Sequence, residues 1–157
     1  MVVAEVVPKS WDVKILATDL DTNMVEHGER GVYSEARLSG ISKARLHRWF
    51  LKGSNDEVRV KDELRNMIHF RQLNLLHDWP MRGPMDVIFC RNVIIYFDQE
   101  TQRRLFTRLV THLKPDGYLC IGHSESLHWL PDLFEPVRNT IYRARPAESA
   151  LSERPAV

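Results

Sequence analysis

Short apolar runs alternate with segments of helical periodicity along most of the chain. The strand candidates are Val13–Ala17, Val58–Val60, Ile68–Leu73, Asp86–Cys90, Tyr118–Gly122 and Thr140–Arg143. The run at 86–90 is almost continuously apolar, which is typical of a strand buried on both faces of a parallel sheet. Val58–Val60 instead alternates as a small exposed strand does. Strands separated by helices predict an α/β sheet with right-handed crossovers.

Capping residues and apolar stripes predict three helices in this chain. Asp21 is a cap residue for the first, and Gly31 is a plausible stop. Ser42 caps the second, which carries Leu46, Trp49 and Phe50 on one face, with Gly53 after its end. Asp98 caps the third, whose buried stripe is Leu105, Phe106, Leu109, Val110 and Leu113. A sharp turn is expected at Lys114–Gly117.

The bulk composition is that of an ordinary globular protein. Among 157 residues, 22 are basic and 21 acidic, giving a net charge of +1. This balance gives no reason to expect nucleic acid or an anionic membrane as a partner, and no apolar run is long enough to span a bilayer. Cys90 and Cys120 each lie in an apolar run, so we expect free thiols and a cytoplasmic protein. The seven histidines have no metal-ligand spacing, and we expect no metal site.

Polar residues directly follow several of the predicted strands. They are Asp19, Asn74, Arg91–Asn92 and His123–Glu125. In open α/β sheets, ligands bind beyond the carboxyl ends of the strands. The Asp19 carboxylate suits the two hydroxyls of a ribose, although a helix cap or loop acid is about equally consistent. For Asn74 alone, the interpretation as a loop amide is favoured over contact with an adenine edge.

The Arg91–Asn92 pair is the more informative of these segments. A guanidinium beside a buried strand costs desolvation free energy unless it meets an anion or several acceptors. The hydroxyl of Tyr96 is within reach of the same cleft, and the alternative is that Tyr96 packs in the core with Phe97. Glu125 is interpreted as an ordinary loop carboxylate. These residues predict a nucleotide- or cofactor-binding α/β domain without naming a reaction.

An ordered set of motifs resembles the chemotaxis receptor methyltransferases, the CheR family. The motifs are ILATDLDTNM, QLNLL, MDVIFCRNVIIYF, LKPDGYLCIGHSES and a final IYR. The resemblance runs from about Ile15 to Arg143 and implies a class I, Rossmann-like methyltransferase fold with a mostly parallel sheet. It also implies transfer of a methyl group from S-adenosylmethionine, leaving S-adenosylhomocysteine, to glutamate side chains on the cytoplasmic helices of chemoreceptors.

The resemblance also assigns roles to individual residues. Asp19 would bind the cofactor ribose, and Asn74 and Leu75 would line the adenine. Arg91 and Asn92 would lie near the methionine end and the reacting centre. Tyr96 would face the site of methyl transfer, so Arg91 and Tyr96 are the catalytic candidates.

Residues 1–145 are expected to form a partial methyltransferase domain, and residues 146–157 a flexible tail. The segment at about 31–70 resembles the small subdomain that the family inserts in its sheet. In some members this subdomain binds a pentapeptide at the receptor's C-terminus. The turn Lys52–Glu57 is short for that role, so we favour a member that does not use the peptide.

Two features of the family have no counterpart in this sequence. No glycine-rich cofactor loop precedes Ile15, and the strand before that loop, normally central in the sheet, is missing. Each unpaired buried backbone group costs on the order of 1–3 kcal/mol, so the two strands that flank the missing one need another partner. They either pair with each other directly or pair with a strand from another chain, as in a homodimer. Otherwise the chain is a fragment that is only marginally stable.

Three functions therefore remain open on the sequence alone. The first is a glutamate methyltransferase, completed by a partner or a further segment. The second is a CheR-like module that binds partners without transferring methyl groups, which the missing loop favours. The third, a generic nucleotide-binding domain, would require the CRNV and GHSE motifs to match by accident.

Overall fold

The computed structural model describes residues 1–145 of the protein. The chain divides into two units, Met1–Asn74 and a second that begins at Leu75. The predicted tail at 146–157 lies outside the described residues. Within residues 1–145, none of the helices combines the length and apolarity needed to cross a bilayer.

The N-terminal unit contains two small sheets. Its elements are α1 (Val2–Val6), β1 (Ile15–Asp19), α2 (Thr22–Arg30), β2 (Val32–Ser34), a 3₁₀ turn (Glu35–Leu38), α3 (Lys43–Trp49), β3 (Phe50–Lys52), β4 (Glu57–Val60), α4 (Asp62–Arg65) and β5 (Ile68–Gln72). Strands β1 and β5 are parallel, and β2, β4 and β3 form an antiparallel sheet with β4 in the centre. The central position of β4 explains why Val58 is buried, so the prediction of an exposed strand there was wrong.

Side chains at the helix ends account for α2 and for the start of α3. Asp21 Oδ1 accepts from the backbone N–H of Asn23 at 2.8 Å, and Gly31 ends α2 with φ +62°. Ser42 Oγ accepts from Arg45 N at 3.4 Å. The helix α3 ends earlier than predicted, because Phe50 leaves the helix and pairs with Val60 as part of β3.

The first helix is held to α3 by one carboxylate. Glu5 accepts hydrogen bonds from Arg45 Nη2 at 2.5 Å, from Arg45 Nε at 3.1 Å and from Trp49 Nε1 at 2.8 Å. These donors favour the ionised carboxylate, so the Arg45 bond and then the Trp49 bond lower the pKa of Glu5.

The C-terminal unit contains a four-stranded mixed sheet and one long helix. Its elements are β6 (Met85–Cys90), a 3₁₀ turn (Ile94–Tyr96), α5 (Gln99–His112), β7 (Leu113–Ile121), β8 (Phe134–Arg138) and β9 (Ile141–Ala144). The strand order is β6-β7-β9-β8, in which β6 and β7 are parallel and the other neighbours antiparallel. Helix α5 is therefore the crossover of a β-α-β unit, as an α/β fold requires.

The predicted third helix and its stripe form the core of this unit. Asp98 Oδ1 accepts from Thr101 N at 2.8 Å, which begins α5 and lowers the pKa of Asp98. Leu105, Phe106, Leu109 and Leu113 are buried with Leu119, Ile121 and Tyr142. The predicted turn at Lys114–Gly117 lies within β7. The pairing of β6 with β7 is irregular at this point, because Met85 pairs with Leu113 and Val87 with Tyr118, which leaves Lys114–Gly117 opposite the single residue Asp86.

Strand β6 is not buried on both faces, so that prediction was wrong. Ile88 and Cys90 pack on the core, whereas Val87 is 43% and Phe89 74% exposed. The strand pairs only with β7 within residues 1–145, and β1 pairs only with β5.

Candidate functional site

Asp19 and Asn74 lie at the same edge of the parallel pair β1–β5. Asp19 is the last residue of β1 and is in register with Gln72. The carbonyl of Asp19 accepts from Leu73 N at 2.9 Å, and Asn74 is the next residue along the chain. Both polar residues thus lie at the carboxyl ends of these strands, Asp19 as the last residue of β1 and Asn74 two residues after β5.

The two acids near the end of β1 have different tasks. Asp21 caps α2, as the sequence predicted. Asp19 is exposed, and its Oδ1 accepts from Asp21 N at 2.9 Å. Among the described residues Oδ2 of Asp19 accepts no hydrogen bond, so one oxygen of an oriented carboxylate remains as an acceptor. Asp19 therefore does not cap α2, which the sequence had left as an alternative.

Arg91 and Asn92 follow β6 at the edge where the loop after β7 also emerges. Cys90 is in register with Ile121, so Arg91–Asn92 and Gly122–Glu125 begin side by side. The Nη2 atom of Arg91 lies 3.0 Å from His123 Nδ1. Because a guanidinium only donates, Nδ1 must accept here, and the proton of a neutral His123 is on Nε2.

Glu125 is the residue that the sequence interpretation missed. It is only 7% exposed. Its carboxylate accepts from the backbone N–H groups of Asn92 and Val93, each at 3.1 Å, and from that of Gly122. It is therefore not an ordinary loop carboxylate. The signal available in the sequence was Gly122 followed by a carboxylate directly after a buried strand.

The backbone at Asn92 and Gly122 is shaped to this carboxylate. Asn92 has φ +58°, a left-handed conformation that asparagine adopts more readily than most residues. A Cβ on Gly122 would overlap Asn92 Oδ1 and would lie 2.7 Å from Glu125 Oε2. Glycine is therefore needed at 122 because no side chain fits between the two loops.

Burial and this carboxylate also act on the thiol at the end of β6. Desolvation, and secondly the negative charge of Glu125, raise the pKa of Cys90 to about 11. Cys120 on β7 is half-buried, and desolvation raises its pKa as well. Both thiols are free, as expected.

Tyr96 ends the 3₁₀ turn and is 80% exposed. This exposure is incompatible with the alternative that Tyr96 packs in the core with Phe97. The turn itself is anchored by Ile94, which is 3% exposed, and by Gln102, whose Nε2 donates to the carbonyls of Ile94 at 3.0 Å and Phe97 at 2.9 Å. An exposed phenol on an anchored turn is available to a ligand.

Leu75 is placed by packing in the C-terminal unit. Its side chain lies against the core, and its carbonyl accepts from Arg108 Nη1 at 3.4 Å. The predicted residues thus form two groups, Asp19 with Asn74 and Arg91–Asn92 with Tyr96, while Leu75 packs on the core. That these six residues serve one methyl-transfer site stays a prediction.

A cavity of about 320 Å³ in the N-terminal unit contains none of these residues. It lies between the end of α2 and strands β4 and β5. The two arginines at its wall are already engaged, since Arg65 donates to Asp62 and to the Glu29 carbonyl, and Arg71 donates to the Phe70 carbonyl. Both guanidinium groups at the cavity wall therefore already make hydrogen bonds within the protein.

Parallel strands, a crossover helix and polar loops at the strand ends define an α/β fold of the Rossmann-like methyltransferase type. The family described as "CheR methyltransferase, SAM binding domain" matches residues 1–143. The chain belongs to this family, and the cofactor of the family is S-adenosylmethionine. The fold class and the resemblance predicted from the sequence are thereby confirmed.

Curated proteins with similar sequences are named chemotaxis protein methyltransferases. Chemotaxis protein methyltransferase 2 of Pseudomonas aeruginosa is 43% identical over 134 residues, which are 83% of this chain and 48% of that protein. The chemotaxis protein methyltransferase of Escherichia coli is 42% identical over 139 residues, 86% of this chain and 48% of that protein. The chain thus spans about half the length of the curated relatives it matches.

Proposed function

We propose that this chain is the cofactor-binding part of a cytoplasmic methyltransferase that esterifies glutamate side chains on the cytoplasmic helices of chemoreceptors. The observation that carries the proposal is the family match over residues 1–143. The names of the relatives support a role in chemotaxis. The glutamate acceptor and the receptor partner rest on the motif resemblance alone.

The residues at the strand ends fit S-adenosylmethionine. The oriented carboxylate of Asp19, with Oδ2 still available, is suited to a ribose hydroxyl. We assign the adenine to Asn74 and Leu75, and the methionine end to Arg91 and Asn92. The bound cofactor supplies a methyl group activated by its positively charged sulfonium.

The remaining chemistry needs alignment more than proton transfer. An acceptor glutamate is already ionised near neutral pH, because its unperturbed pKa is about 4.3. No strong general base is required, and neither Arg91 nor Tyr96 acts as one. Arg91, oriented by His123, and the exposed Tyr96 hydroxyl orient the acceptor carboxylate. Tight pairing with Arg91 would lower the nucleophilicity of the acceptor, so orientation matters more than charge.

Calorimetric titration with S-adenosylhomocysteine tests cofactor binding directly. We expect micromolar affinity for the wild type and a larger loss for Asp19→Ala than for Asp21→Ala. Asp21→Ala is the matched control, because it removes a neighbouring carboxylate that caps α2. Equal losses would refute the ribose assignment. Transfer of radiolabelled methyl groups to a receptor cytoplasmic fragment, with base-labile label as expected for an ester, tests the reaction.

A second function, binding of a partner without methyl transfer, is favoured by the open edge of β6. Val87 and Phe89 are exposed, and the edge opposite β7 is unpaired within residues 1–145. We propose that a strand from a second copy of this chain pairs there, which an open edge favours. Light scattering should then show an assembly that Phe89→Lys weakens. A wild type that is monomeric at all concentrations would contradict this pairing, and absence of any cofactor affinity would favour the non-catalytic module.

A further inference from the structure

One buried carboxylate joins the loops that follow the parallel strands β6 and β7. Glu125 belongs to the second loop and receives the N–H groups of Asn92 and Val93 from the first, at 3.1 Å each. It also receives the N–H of Gly122 from its own loop. Glu125 therefore accepts hydrogen bonds from Asn92 and Val93, which precede it by 33 and 32 positions in the sequence.

We infer that Glu125 is a positioning residue that holds Arg91 and Asn92 in their binding geometry. This inference rests on the proposed function, because it assigns Glu125 a task in that same site. Backbone with φ above zero at a non-glycine residue persists where its surroundings hold it. Asn92 has φ +58°, and its backbone N–H, whose direction depends on this conformation, donates to Glu125.

The geometry requires a carboxylate rather than another polar group. An ionised carboxylate only accepts, and its two oxygens have room for several donors. Oε2 receives Asn92 and Gly122, and Oε1 receives Val93. The amide of glutamine has only one accepting oxygen. Its NH₂ group would therefore face at least one backbone N–H, and the two donors would repel each other.

The charge of Glu125 is balanced by backbone dipoles. Among residues 1–145, no lysine, arginine or histidine forms an ion pair with it. Hydrogen bonds from backbone N–H groups to a carboxylate are among the stronger ones in proteins. The carboxylate is thus committed to the two loops and does not neutralise a cation elsewhere.

The same loop also orients the guanidinium of Arg91. His123 lies between Gly122 and Glu125, and its Nδ1 is 3.0 Å from Arg91 Nη2. A shift of the Glu125 carboxylate would therefore displace Arg91 in two ways, through the backbone of Asn92 and through His123. Glu125 acts through these residues and is not itself expected to contact the cofactor.

The inference can be tested first without any activity measurement. In the wild type, scalar couplings across hydrogen bonds should connect the amide nitrogens of Asn92, Val93 and Gly122 to the carboxylate carbon of Glu125. In Glu125→Gln, amide hydrogen exchange at Val93 and Gly122 should be about tenfold or more faster. The control Glu135→Gln removes an exposed carboxylate from the same unit and should leave both rates unchanged.

A double-mutant cycle separates positioning from general destabilisation. Glu125→Gln should weaken S-adenosylhomocysteine binding by about tenfold, and Arg91→Ala should cost much less in that background than in the wild type. Additive effects would overturn the inference, as would unchanged amide exchange and absent couplings. If Glu125→Gln does not fold, the wild-type couplings decide. If the wild type binds no S-adenosylhomocysteine, the proposed function fails, whereas the amide measurements still show whether Glu125 fixes the loop.

Discussion

Removal of the Tyr142 hydroxyl should destabilise the C-terminal unit without creating a cavity. Tyr142 is 1% exposed, and its hydroxyl accepts from the backbone N–H of Leu127, also 1% exposed, at 3.2 Å. In Tyr142→Phe the ring still packs edge-on against Phe134, at 6.5 Å between centroids, and against His128, at 6.3 Å. The lost acceptor leaves a buried amide unsatisfied, which costs about 1–3 kcal/mol. A loss of about 2 kcal/mol lowers the Tm of a chain this size by roughly 4–8 °C.

Tyr96→Phe is the matched control, because it removes the same atom from a ring that is 80% exposed. An exposed substitution of this kind should change the free energy of unfolding by less than about 0.5 kcal/mol. Urea unfolding followed by circular dichroism should show a lower midpoint with an unchanged slope for Tyr142→Phe alone. If Tyr96 orients the acceptor, the rate of methyl transfer should instead fall more in Tyr96→Phe than in Tyr142→Phe. Equal losses of stability in the two variants would refute the reasoning.

Three further changes test other parts of the fold. Gly31→Ala places a Cβ at φ +62° and should cost roughly 1–2 kcal/mol in thermal unfolding, whereas Gly40→Ala, with open space around its Cβ, should be neutral. Cys90, with its pKa at about 11, should be alkylated by iodoacetamide at pH 8 more slowly than Cys120, as mass spectrometry can measure; faster labelling of Cys90 would contradict its burial. The pKa of Asp98 is lowered on folding, so its contribution is complete above the unfolded pKa of about 3.9 and is lost as pH falls through the lower folded pKa. The Tm difference between wild type and Asp98→Ala should therefore be constant above about pH 5 and shrink in more acidic solution, and a difference that grows there would refute the sign.

The sequence predicts most reliably those elements whose signals are local. The starts of α2 and α5 follow from Asp21 and Asp98, whose side chains bond to amides two and three residues further on. Gly31 ends α2 because it adopts the left-handed conformation that glycine permits. Such signals need no knowledge of the tertiary partner, which is why they could be predicted.

Strand burial and short strands depend on distant partners and were predicted less well. Phe50 was assigned to the face of α3, but pairing with Val60 places it in β3. Val58 is buried because β4 has neighbours on both sides, which an alternating pattern of three residues does not reveal. The strand at Phe134–Arg138 was missed because Pro136 and two charged residues, Glu135 and Arg138, obscure its pattern. In β6 the apolar pattern correctly indicates a strand, but within residues 1–145 only one of its faces is covered.

The same division between local and distant signals explains the candidate site. Arg91 and Asn92 could be located from the sequence, because any residue that follows a parallel strand emerges at the ligand-binding edge of the sheet. The importance of Glu125 could not be inferred in this way. Its burial is a consequence of amides contributed by the loop after β6, and these amides point inward only because Asn92 has φ +58° and Gly122 has no side chain. An isolated glutamate in a loop is most often exposed, and the sequence does not show which one the neighbouring strand's loop surrounds. Glu125 can thus accept hydrogen bonds from the loop after β6 only once β6 and β7 have paired.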